Sequence, residues 1–116
     1  TYYGCCEPLH HKVDIISKHL PNLRKISMSP WVDAKKGAAA IGGRFVFSFK
    51  PNPAFVATEG RWDSKSARDE LESVLEATRG QAVELILKDI STVRFEPQRL
   101  WEWADMAMEL AEKYAV

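Results

Sequence analysis

Apolar residues along this chain follow two periods in turn. Short runs in which every residue, or every second one, is apolar give way to stretches with apolar residues three or four apart. The first pattern marks strands and the second amphipathic helices. Thr1 to Cys6 reads as a short strand, loosened by Gly4 near its end. Pro8 takes the first turn of a helix with apolar positions Leu9, Val13, Ile15, Ile16 and Leu20, and Pro21 with Asn22 ends it. Leu23 to Ser29 is a second strand, closed by Pro30. Asp33 caps an Ala-rich helix from Ala34 to Ile41, and Gly42 and Gly43 stop it. Arg44 to Phe49 is the clearest strand, and Pro51 and Pro53 forbid its continuation as a central strand.

A connection over 54–63 leads to a third helix, capped by Asp63 or Ser64, with an apolar stripe of Ala67, Leu71, Val74 and Leu75 and a stop at Gly80. Ala82 to Leu87 is a fourth strand, apolar enough to predict cover on both faces. Pro97 opens a long helix through Tyr114, with Leu100, Trp103, Ala104, Ala107, Met108 and Ala111 facing inward.

Strand then helix, four times over, predicts an α/β fold of parallel strands joined by right-handed crossovers. Two architectures satisfy that order. One is four β/α units forming half of an eight-stranded (β/α)8 TIM-type barrel; the other is a small, open, doubly wound sheet. Both place chemistry at the carboxyl ends of the strands, which singles out four clusters.

Gly4-Cys5-Cys6-Glu7, with His10 and His11 just beyond, offers thiol, carboxylate and imidazole ligands within a few positions. Cys6, Glu7 and His10 are the candidate metal ligands. His10 and His11 are adjacent, about 100° apart on a helix, so both cannot easily reach one ion. Ser29 and Trp31 follow the second strand, and Lys50 and Asn52 the third, held in a rigid Lys-Pro-Asn-Pro turn; these four are candidate substrate contacts. Lys88 and Asp89 end the fourth strand, an anion anchor beside an acid or base, and are the candidate catalytic pair. Against these stand plainer readings: buried thiols, surface histidines, a neutralised Lys–Asp strand end, and Trp101 and Trp103 as helix packing.

Composition narrows the classes. Lys+Arg and Asp+Glu both number 16, so the formal net charge is zero and no basic surplus draws nucleic acid or an anionic membrane. No apolar run approaches the ~20 residues of a membrane-spanning helix. Adjacent Cys5 and Cys6 are poorly placed to bridge each other, which predicts a reducing, cytoplasmic setting. Residues 1–116 read as one partial domain, opening directly in a strand.

The succession Tyr3-Gly4-Cys5-Cys6-Glu7-Pro8, then Leu23-Arg24-Lys25-Ile26-Ser27-Met28-Ser29-Pro30-Trp31, then Ser48-Phe49-Lys50-Pro51-Asn52-Pro53, then Ile86-Leu87-Lys88-Asp89-Ile90-Ser91-Thr92 resembles the last four β/α units of uroporphyrinogen decarboxylase-like proteins. That superfamily includes the decarboxylase of haem synthesis and corrinoid- and methylthiol-type methyltransferases. The resemblance implies the C-terminal half of a barrel, its N-terminal half supplied elsewhere. It implies an enzyme, the piece alone being inactive.

Methyl transfer with a corrinoid protein partner is one implied activity, and decarboxylase-like lyase action on a carboxylated substrate, anchored by Lys88 or Arg94, is another. A non-catalytic barrel piece or binding module is the third reading. Methyltransferase zinc is held by a His-x-Cys motif and a Cys at the last strand. Here Cys6 matches, Gly4 stands in place of the His, and Lys88-Asp89 replaces the last Cys, leaving Glu7 or His10 as substitutes. The decarboxylase motif Gly-Asn-x-Asp-Pro becomes Lys50-Pro51-Asn52-Pro53, keeping only its final Pro. Four units alone leave two open sheet edges, which predicts a homo-oligomer.

Overall fold

A computed structural model describes residues 1–115. Four strands, β1 (Tyr2–Tyr3), β2 (Lys25–Met28), β3 (Val46–Phe49) and β4 (Val83–Leu85), alternate with four helices, α1 (Val13–His19), α2 (Ala34–Ile41), α3 (Ser64–Ala77) and α4 (Gln98–Tyr114). A short 3-10 helix, Pro53–Val56, lies between β3 and α3. All strand pairs are parallel, and the sheet runs β1-β2-β3-β4 in chain order. The α/β class with four parallel β/α units is therefore observed.

Local chemistry explains most boundaries. The Asp33 carboxylate accepts from the Lys36 amide at 3.1 Å, satisfying one of the unpaired donors of α2. Gly42 ends that helix with φ 56°, a left-handed conformation that suits a residue without Cβ. Asp63 caps α3 in the same way, accepting from the Ser66 amide at 3.1 Å. The Asn52 side chain accepts from the Ala54 amide at 3.0 Å and starts the 3-10 turn.

Four expectations need correction. The first strand is two residues long, because the chain leaves the sheet at Gly4. Helix α1 begins at Val13, not near Pro8: residues 10–12 form a turn, although Leu9 is still fully buried. The fourth strand covers only Val83–Leu85, and each of the three is half-buried, so it is not covered on both faces. The buried stripe of α4 is Arg99, Trp103, Met106, Ala107 and Leu110. Of the six residues expected inside, Trp103 and Ala107 are buried, while Met108 is 59% exposed.

One core forms where the helices meet the sheet. Ile26, Met28, Phe47 and Phe49 point into it and join Leu9, Val13, Ile41, Leu71, Leu75 and Leu110. Each large side chain buried there contributes about 1.5–3 kcal/mol relative to exposure. The helices touch one another in chain order, α1 to α2 to α3 to α4. The alternate positions Tyr2, Lys25, Ser27, Ser48, Lys50 and Glu84 occupy the opposite face, which is polar. That face and the strand ends above it form the candidate site.

Candidate functional site

Parallel strands deliver their carboxyl ends to one rim, and a cavity of about 430 Å³ opens there. All four units contribute to it. Cys6 comes from beyond β1, Ser29 and Trp31 from beyond β2, Lys50 from beyond β3, and Lys88 and Asp89 from beyond β4. Six of the nine residues singled out from the sequence thus line one cavity. Glu7, His10 and Asn52 do not.

Lys50 is the most constrained of the six. It is only 8% exposed, and its ammonium donates to the Ser48 hydroxyl at 2.6 Å and to the Tyr2 hydroxyl. Ser48 donates in turn to Glu84 Oε1 at 2.7 Å, and Lys25 donates to Glu84 Oε2 at 2.8 Å. A continuous chain, Tyr2–Lys50–Ser48–Glu84–Lys25, therefore runs across the sheet from β1 to β4 and back to β2. A buried ammonium needs hydrogen-bond acceptors, and the Tyr2 and Ser48 hydroxyls supply them, with the Glu84 carboxylate one link further along. Glu84 is held below the usual carboxylate range by the hydrogen bonds from Lys25 and Ser48, against a smaller opposing effect of burial. Burial acts to raise the Tyr2 phenol, but hydrogen bonds with Lys50, Ser48 and Ser27 and the Lys50 charge together bring it below its ordinary value.

The rim is more open. Lys88 and Asp89 are 3.6 Å apart and exposed, a loose pair that leaves the ammonium available to a ligand anion. Asp89 has φ 58°, a left-handed conformation that Asp tolerates better than most residues and that turns the chain sharply over the cavity. Trp31 is 68% exposed beside the cavity, its backbone tethered by the Ser29 hydroxyl, which accepts from the Trp31 amide at 3.3 Å. A flat aromatic surface next to two ammonium groups suits a small, anionic, unsaturated molecule.

The three remaining candidates are otherwise engaged. Glu7 accepts from Lys12 at 2.6 Å, and that contact holds its carboxyl below the usual range. His10 Nδ1 accepts from the Asp33 amide at 3.4 Å. Asn52 donates its backbone N–H to Glu70 at 3.0 Å while its side chain makes the cap. Arg94, the alternative carboxylate anchor, donates to the Ala57 carbonyl at 2.9 Å. Among the described residues no three His, Cys, Asp or Glu side chains converge as metal ligands. Cys6, Glu7 and His10 as arranged do not fit a zinc ion, because only Cys6 faces the cavity and the other two serve local contacts.

Tyr2, Ser48, Glu84 and Lys25 escaped the strand-end rule because they lie within the strands. The signal was present all the same. Phe47-Ser48-Phe49-Lys50 and Val83-Glu84-Leu85 alternate apolar and polar, so one sheet face had to be polar. Comparison of the chain with protein families, with curated proteins and with solved structures finds no match.

Proposed function

We propose that this chain is half of a uroporphyrinogen decarboxylase-like (β/α) barrel and that its strand-end cavity takes a carboxylated small molecule for decarboxylase-like lyase chemistry. The observation that carries this reading is the convergence of Lys50 and Lys88 on one cavity beside Trp31. In it, Lys88 holds a substrate carboxylate, the buried Lys50 charge adds a positive field behind it, and Trp31 packs on an unsaturated ring. Loss of CO2 leaves an electron pair on carbon, which a proton from the rim, through Asp89, quenches. The exposed, unbridged Cys5 and Cys6 support a reducing compartment such as the cytoplasm. Methyl transfer with a corrinoid partner shares the resemblance, but no feature of the site favours it, since Cys6 lacks two companion ligands.

Titration with phthalate, an aromatic dicarboxylate, followed by amide and indole NMR shifts tests the reading. Saturable shifts at Ser29, Trp31 and Lys88 are expected, and none with the neutral diamide. Lys88→Met should weaken binding about tenfold, the loss of one charge-assisted contact. Equal affinity for the Lys88→Met variant, or no saturable shift in wild type, overturns it.

A further inference from the structure

Loss of CO2 requires a place for an electron pair to go, and the strand-end cavity holds a group able to receive it. Lys50 is nine-tenths buried and lines that cavity together with Tyr2. Its amine is held differently from its neighbours. Lys25 meets Glu84 at 2.8 Å and Lys88 meets Asp89 at 3.6 Å, whereas Lys50 makes no direct ion pair among the described residues. Its contacts are the Tyr2 hydroxyl, the Ser48 hydroxyl at 2.6 Å and, more weakly, the Ser48 carbonyl at 3.4 Å. Glu84 stands one link away, accepting from Ser48 at 2.7 Å. A buried lysine with hydroxyl partners and no anionic one, opening on a cavity, is placed as Schiff-base nucleophiles are.

We infer that Lys50 condenses with the ketone of a 3-oxo carboxylate, and that the iminium so formed draws off the electron pair released with CO2. This rests on the carboxylate reading of Lys88 and adds the carbonyl group that the substrate must carry. Tyr2, as phenolate, first takes one proton from the Lys50 ammonium. The phenol then donates to Ser48, 3.1 Å away, which leaves the nitrogen lone pair free. The Ser48 oxygen has two lone pairs, so it accepts from Tyr2 and Lys50 together while donating to Glu84.

The lone pair adds to the ketone carbon, and the carbonyl π pair moves to oxygen. Tyr2 gives that oxygen one proton, takes one from the nitrogen, and gives it on in turn. The oxygen leaves as water and a C=N bond forms. The C–CO2 bond then breaks, its pair becoming a C=C bond while the C=N π pair moves to nitrogen. A proton through Asp89 reaches the terminal carbon, and water releases the ketone and restores the Lys50 ammonium. The sum is 3-oxo carboxylate plus one proton to ketone plus CO2, with no oxidant or reductant.

The surroundings suit each stage. Burial acts to raise the Tyr2 phenol, but the hydrogen bonds with Lys50, Ser48 and Ser27 outweigh it and bring the phenolate within reach. The iminium puts its positive charge where the ammonium stood, so the groups that stabilise one stabilise the other. With Lys88 and Trp31 at the rim, the ketone end of the substrate enters first.

Incubation of the 116-residue chain with benzoylacetate, an aryl 3-oxo carboxylate, and cyanoborohydride tests this by peptide mass mapping. Hydride adds to the iminium carbon and leaves a stable secondary amine. An adduct on Lys50, with the other lysines unlabelled, is expected, forming about tenfold faster than with acetophenone, which lacks the carboxylate. Tyr2→Phe, a change at the half-exposed edge of the sheet, should slow labelling about a hundredfold near pH 7. The deficit should shrink near pH ~10, where hydroxide takes the ammonium proton. Lys50 unlabelled while phthalate binds overturns the imine and leaves the carboxylate reading standing. Lys50 labelled equally fast by both ketones supports the imine and sinks the carboxylate anchor. Label spread evenly over the lysines, or Tyr2→Phe labelled as fast as wild type, overturns the inference.

Discussion

Arg99 shows how a charge becomes part of a core. It is 1% exposed, yet its guanidinium donates to the carbonyls of Val56 at 3.1 Å, Thr58 at 2.7 Å and Gly60 at 2.6 Å, and meets Glu96 at 3.3 Å. These bonds anchor the 56–60 loop to the first turn of α4, a role that no spacing rule in the sequence announces. Arg99→Met keeps much of the stem packing but strands three carbonyls, so chemical denaturation should show a loss of about 3 kcal/mol.

Glu70 is the titrating counterpart. Burial pushes its carboxyl from 4.5 up to about 7, only partly offset by the Asn52 amide. The folded state therefore binds this proton more tightly than the unfolded chain does. Its contribution is most favourable below pH 4.5 and declines as pH rises through 7. Glu70→Gln, which keeps an acceptor for Asn52, should flatten that decline and be on the order of 2 kcal/mol more stable than wild type at pH 8. Urea midpoints at pH 5 and pH 8 for both proteins measure it.

Helix α4 carries the main lesson at the level of elements. Its length was legible from Pro97 to Tyr114, but the face it buries was not. Two overlapping stripes share Trp103 and Ala107, and periodicity weighs them alike. Neighbours decided between them. Arg68 of α3 reaches Glu109 at 3.3 Å, and the Trp62 indole donates to Glu102 at 2.6 Å, so the helix is turned toward α3 and the 3-10 segment. Leu110→Ala should then cost about 3 kcal/mol by leaving a cavity in the core. Met108→Ala, on the exposed side, should leave the chain within ~0.5 kcal/mol of wild type. Thermal unfolding of the two variants beside wild type measures the difference.

At the scale of the whole fold, the described residues form one parallel sheet with helices packed on one face. The other face is polar. Tyr2, Ser48, Lys50 and Glu84 satisfy one another from three strands, so this face is already hydrogen-bonded within the chain.

From the sequence alone came the alternation of strands and helices, the Asp33 cap, the choice of Asp63 or Ser64 for the next, the core positions of α3, and the rule that brings Cys6, Ser29, Trp31, Lys50, Lys88 and Asp89 to one rim. These follow from local periodicity, turn chemistry and the one-way sense of β/α winding, all properties of short stretches of chain. Only the tertiary structure decided that Glu7, His10 and Asn52 are engaged by Lys12, Asp33 and Glu70 and not by the cavity. It also decided that Lys50 is tied through the Ser48 hydroxyl to Glu84 of the neighbouring strand, and which stripe of α4 is buried. Those outcomes depend on competition among groups far apart in the chain, where the nearest satisfied partner prevails, and no local pattern records which partner that is.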